Sequence, residues 1–82
     1  MTTTDYHPIA CERYSEYEVH ILRGTWLRVD AVLPERSLHD LRCRATDLQT
    51  RDGAEYICLR PESGEALWIR LDLLQKVVPW DM

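Results

Sequence analysis

The sequence predicts a mainly β fold with one N-terminal α-helix, its strands closing into a small five-stranded antiparallel barrel. Three observations lead there. Helical periodicity is confined to residues 11–22, five short alternating segments follow it, and the connections between them are hairpin-sized and marked by Gly, Pro and Asp. A flat sheet of this length would leave one side bare and its edges open, so a strongly bent, closed sheet is the favoured solution.

Residues 1–5 read as a flexible polar tail, and residues 6–82 as a single domain. Pro8 fixes a turn and steers His7 away from helix. From Cys11 to Leu22, Tyr14, Tyr17 and Ile21 share one helical face, Glu12 and Glu16 fall on another, and Val19 lies beside those acids as an exposed apolar residue. Gly24 suits a left-handed helix cap.

The first strand is expected over 26–33, with Leu27, Val29, Ala31 and Leu33 inward and Trp26, Arg28, Asp30 and Val32 outward. Pro34-Glu35-Arg36-Ser37 turns the chain into a second strand, 38–46, whose inward side is Leu41, Cys43 and Ala45 and whose outward side is Arg42, Arg44 and Thr46. Thr50-Arg51-Asp52-Gly53 contains the strong Asp-Gly turn signal. The third strand, 54–60, places Ile57 and Leu59 inward and Tyr56, Cys58 and Arg60 outward. Pro61-Glu62-Ser63-Gly64 leads to a fourth, 66–72, with Leu67, Ile69 and Leu71 against Trp68 and Arg70. A fifth, 74–78, ends before Pro79, a residue suited to a strand end or edge.

Composition narrows the function. The 82 residues are 45% hydrophobic and 29% charged, with three Trp, four Tyr and no Phe, which suits a folded domain with a thin core. Fourteen acidic residues against ten basic ones give −4, a balance that disfavours a general nucleic-acid binder and favours a basic partner. The acidity is concentrated early, where Asp5, Glu12, Glu16 and Glu18 face Arg13 alone in the first twenty residues. Cys11, Cys43 and Cys58 stand at no motif spacing, and neither an apolar signal segment nor a membrane-length apolar run is present. Free thiols in the cytoplasm are therefore expected.

Catalytic and metal chemistry find little support. His7, Cys11 and His20 lie near one another in sequence, and a sheet could bring Cys43 and Cys58 together. No Cys-x-x-Cys or His-x-x-x-His pair occurs, so neither metal nor cofactor is expected. A filled small barrel gives a cysteine nucleophile no pocket, and three scattered glycines make no phosphate loop, so an enzyme is not expected. Arg28, Arg42, Arg44 and Arg70, with Trp26, Tyr56 and Trp68, suggest an arginine and aromatic face of the kind that reads single-stranded RNA. The plainer reading pairs those arginines with Asp30, Glu55 and Asp72, and the acidic total favours it.

The order of residues also carries a resemblance. Tyr6-x-Pro8-Ile9-x-Cys11-Glu12-x-Tyr14 with Glu18, then Leu41-x-Cys43-x-Ala45-Thr46-Asp47-Leu48, Arg51, Glu55-Tyr56-Ile57 and Leu67-x-Ile69-x-Leu71-Asp72, resembles the Rho-binding antiterminator (Rof, or YaeO) family from Tyr6 to about Val78. The resemblance implies an Sm-like fold, a helix followed by a five-stranded barrel. It also implies a non-enzymatic inhibitor that covers the primary RNA-binding site of the hexameric transcription termination factor Rho, mimicking RNA and permitting antitermination. Carried over by position, Glu12, Tyr14, Glu16 and Glu18 form the Rho-binding helix, with Val19, Arg51 and Glu55 as secondary contacts. A cytoplasmic monomer that binds neither nucleic acid nor membrane would follow. An Sm-like module binding single-stranded RNA through the arginine face is the alternative. The chain departs from the family at Arg13 and Ser15, where acids are usual, at Tyr17, where an aliphatic residue is usual, and in a longer 34–37 connection. The departures leave Glu16 and Glu18 to carry more of the charge.

Overall fold

A computed structural model describes residues 11–80; the expected tail over 1–5, the turn at Pro8 and the residues from 81 onward lie outside them. The described chain is one helix followed by five strands. Helix α1 spans Cys11–Arg23, strand β1 Trp26–Val32, β2 Ser37–Arg51, β3 Ala54–Pro61, β4 Leu67–Arg70 and β5 Leu74–Pro79, with a 3₁₀ turn at Leu71–Leu73 between the last two. All neighbours are antiparallel, and the sheet order is β4-β3-β2-β1-β5. The expected closure into a barrel is not made: the sheet is open, because β4 and β5, its two edges, do not pair with each other.

The helix forms where its apolar residues recur on one side. Tyr17 is buried in the core, and Tyr14 and Ile21 pack against it half-buried, as the periodicity predicts. Arg13 Nη2 donates to the Tyr17 hydroxyl at 3.0 Å, so the one polar atom on that buried ring is satisfied. Gly24, at φ 64°, ends the helix, with its N–H and that of Thr25 donating to the His20 carbonyl at 2.9 and 3.3 Å.

Alternation holds for the core. Leu27, Val29, Ala31, Cys43, Ala45, Ile57, Leu59, Ile69, Leu71 and Leu74 are all buried on the inner side. Several element ends shift by one residue from the expectation, and three differences bear on the packing. β2 does not stop at residue 46 but runs to Arg51, because Asp52 and Gly53, both at positive φ, make the reversal in two residues and let Arg51 pair with Ala54. The fourth strand ends at Arg70, not at residue 72: the chain turns there to drive Leu71 fully inward. That turn is fastened by the Arg70 Nε donating to Asp72 Oδ1 at 2.7 Å. Leu33 falls just beyond β1, half-buried against the core. Cys58 does lie on the outer face, but it is buried, because Asp47 and Trp68 pair with it on either side.

Two irregularities bend β2. Between Leu38 and Leu41 two residues oppose one in β1, and Asp40, at φ 52°, is held there by its N–H donating to Asp30 Oδ1 at 2.8 Å. At Thr46 an extra residue intrudes between the Ala45–Leu59 and Asp47–Cys58 pairs. The bends let one strand pair with β1 through its first half and with β3 through its second. Among the described residues no helix is long and apolar enough to cross a membrane.

Candidate functional site

Beyond Arg44, β2 has no partner on its β1 side, and α1 lies along that stretch. Between them runs an open groove of about 470 Å³, lined by Tyr14, Glu18, Ile21, Leu22, Asp47 and Leu48. Its floor is apolar, because Ile21 and Leu48 turn half their surface to the core. Its rim is acidic, because Glu18 and Asp47 are exposed on opposite walls. Leu22, at 86% exposed, projects from the same side of the helix. The Asp47 carboxylate also accepts the N–H of Leu48 at 2.8 Å, which fixes its position on the wall.

Tyr14 joins the two chemistries. Its ring packs on the core, and its hydroxyl is held above the usual tyrosine range by burial first, then by the carboxylates of Glu55 and Glu18. The structure thus brings Tyr14, Glu18 and Glu55 together. It does not bring in the other helix acids. At roughly 100° per residue Glu16 and Glu18 sit about 200° apart, so Glu12 and Glu16 occupy the opposite flank of α1. Val19 is exposed, at 40%, on the solvent side between the two flanks. Arg51 and Glu55 are on opposite faces of the sheet: Glu55 is beside Tyr14, while Arg51 stacks over Tyr56 and Trp68, at 4.8 and 5.5 Å from the ring centres. Asp47, Leu48 and Leu22 were not foreseen as site residues.

The outer face of the sheet is a second candidate. Arg28 pairs across the ladder with Arg42, and Arg44 with both Trp26 and Arg60, so four arginines share one surface. The Arg42 guanidinium lies 4.2 Å from the Trp26 ring centre and Arg44 lies 4.9 Å from it, while Arg28 lies 4.4 Å from Trp80. Trp80 comes into place because its N–H donates to the Trp26 carbonyl at 2.8 Å. The expected carboxylate partners are mostly different ones. Arg28 faces Asp40 at 3.7 Å and Arg42 faces Glu62 at 3.2 Å, while Arg70 keeps Asp72. Asp30 instead receives the Asp40 N–H, and Glu55 belongs to the helix side.

Thiol and imidazole chemistry stay dispersed. Cys43 is fully buried and burial pushes its thiol up to about 11, which makes it a core residue and a poor nucleophile. Cys11 is exposed at the helix start. Among the described residues no three His, Cys, Asp or Glu side chains gather as metal ligands; His7 lies outside them.

The fold and the two surfaces define a small, mainly β domain that offers an acid-rimmed apolar groove on one side and an arginine and indole face on another. Comparison with family models, with curated proteins and with solved structures finds no match for this chain.

Proposed function

We propose that this protein is a non-enzymatic inhibitor of the transcription termination factor Rho, an Sm-like domain that covers Rho's primary RNA-binding site and so favours antitermination. The observation that carries the reading is the groove of Tyr14, Glu18, Leu22, Asp47 and Leu48, with the charge of Glu55 also felt at Tyr14. A site built to hold RNA is basic and lined with rings for stacking, and its competitor must present carboxylates around an apolar contact on a rigid support. The groove has that composition, and α1 and β2 supply the support. A helix ahead of five antiparallel strands in the order β4-β3-β2-β1-β5, with two irregularities in β2, supports the Sm-like assignment. The protein acts in the cytoplasm as a monomer, without cofactor or metal.

Placing the contact in the groove changes which acids matter. Glu18 and Asp47 face Rho; Glu12 and Glu16, on the far flank, contribute through the general field alone. The test is displacement of labelled RNA from the primary site of purified Rho at low salt. Excess protein displaces the RNA, Glu18→Lys with Asp47→Lys weakens displacement at least tenfold, and Glu12→Lys with Glu16→Lys weakens it less than threefold. Absence of displacement by the unmodified protein overturns the reading. The reverse ranking of the two double variants moves the contact off the groove.

A further inference from the structure

We propose that the outer face of β1, β2 and β3, built from Trp26, Arg28, Arg42, Arg44, Arg60 and Trp80, is a binding surface for single-stranded nucleic acid. Four features of the structure support this, and none depends on the Rho reading.

The first is the charge pattern. Like charges directly opposite in a sheet oppose folding, yet Arg28 stands opposite Arg42 and Arg44 opposite Arg60. Four guanidinium groups are thus gathered on one face of a chain whose net charge is −4. The second is incomplete neutralisation. Asp40 reaches Arg28 and Glu62 reaches Arg42, but among the described residues no carboxylate lies within ion-pair distance of Arg44 or Arg60, both exposed.

The third feature is preorganisation. Arg42 and Arg44 both lie over Trp26, and Arg28 lies over Trp80, with Arg42 also 5.5 Å from the latter ring centre. Stacking uses the face of a guanidinium and leaves its in-plane N–H donors at the edge, where phosphate oxygens are met. The arginines are therefore held in place without using their donors on the rings. The fourth is the rings themselves. Half-buried indoles among arginines form a platform on which bases stack whatever their identity, which selects a single strand over a duplex or an acidic peptide. The core-packed side of the sheet carries α1, so Tyr14, Glu18 and Ile21 lie off this face, and the groove meets it only at Asp47, which stands opposite Cys58 at its margin.

Binding is tested with the full-length protein and no Rho present, by following tryptophan fluorescence as a twelve-residue uridine RNA or thymidine DNA is added at about 50 mM salt. Trp26 and Trp80 lie within the face, so saturable quenching is expected with at least one of the two strands. Contacts from three or four arginines give a slope of log affinity against log salt of about −2 to −3. Arg44→Ala with Arg60→Ala, two exposed positions, reduces affinity at least tenfold and flattens the slope by roughly 1.4. Three results overturn the proposal: no quenching with either strand, equal competition by a duplex of the same length, or equal competition by polyglutamate. If the double variant fails to fold, the salt series and the competitors on the unmodified protein still decide it. Failure here leaves Rho displacement untouched, and failure there leaves this experiment untouched.

Discussion

Leu22→Ala separates binding from folding more cleanly than any charge reversal. Leu22 is 86% exposed, so nearly all of its apolar surface remains to be buried by a partner. The substitution removes three carbons; at ~0.8 kcal/mol for each one buried, the loss in a complex is about 2 kcal/mol, or roughly thirtyfold in Kd. The same exposure means that the fold loses almost nothing, with stability changing by less than ~0.5 kcal/mol. Leu27, wholly buried, shows the opposite case: its truncation removes ~2–5 kcal/mol of stability. The assay is RNA displacement from Rho, run beside a thermal melt of the variant alone. A Kd within twofold of the unmodified protein, with the fold intact, would refute the groove as the contact. A lowered melting temperature would refute the exposure on which the estimate rests.

Three further outcomes test the architecture. Asp72→Asn weakens the charged hydrogen bond from Arg70, whose side chains are only 18% and 10% exposed, and should lower stability by about 1.5–3 kcal/mol in urea denaturation. Gly53→Ala meets no atom within 4 Å, but must hold φ at 78°, so a loss of roughly 1–2 kcal/mol by thermal melting is expected from backbone conformation alone. Stability should also fall in alkali. The Cys43 thiol sits near 11 when folded, whereas an unfolded thiol deprotonates at about 8.5. Between roughly pH 9 and 11 the unfolded chain therefore binds fewer protons and is favoured, by up to about 3 kcal/mol, an effect absent below about pH 8 and removed by Cys43→Ala.

The core was legible where a strand keeps a strict period of two: Leu27-Val29-Ala31 and Ile57-Leu59 could face only one way. The end of β2 was not, because Asp47-Leu48-Gln49-Thr50 has one apolar residue and reads as loop; pairing with β3, rather than its own pattern, makes it strand. That is also why Asp47 and Leu48 went unseen as groove walls. Leu22 had no signal of its own, since an exposed leucine acquires meaning only from what stands beside it. Arg–carboxylate partners depend on register, and the bulge at Asp40 shifts the register, bringing Asp40 rather than Asp30 to Arg28. Trp80, beyond Pro79, carried no strand pattern; its role depends on one backbone hydrogen bond to Trp26.

The pairing of β1 with β5 has a consequence for how the chain is made. Every other strand pair joins neighbours along the chain, but residues 33–73 intervene between these two. Closing that span costs on the order of 2 kcal/mol more entropy than closing a four-residue hairpin. The β1–β2–β3–β4 meander is therefore expected to assemble first and β5 to dock last. During synthesis the β1 edge stays uncovered until β5 has left the ribosome, and the stacking of Trp80 on Arg28 marks the docking of that strand. A stopped-flow trace of a variant that keeps Trp80 as its sole tryptophan would time that step.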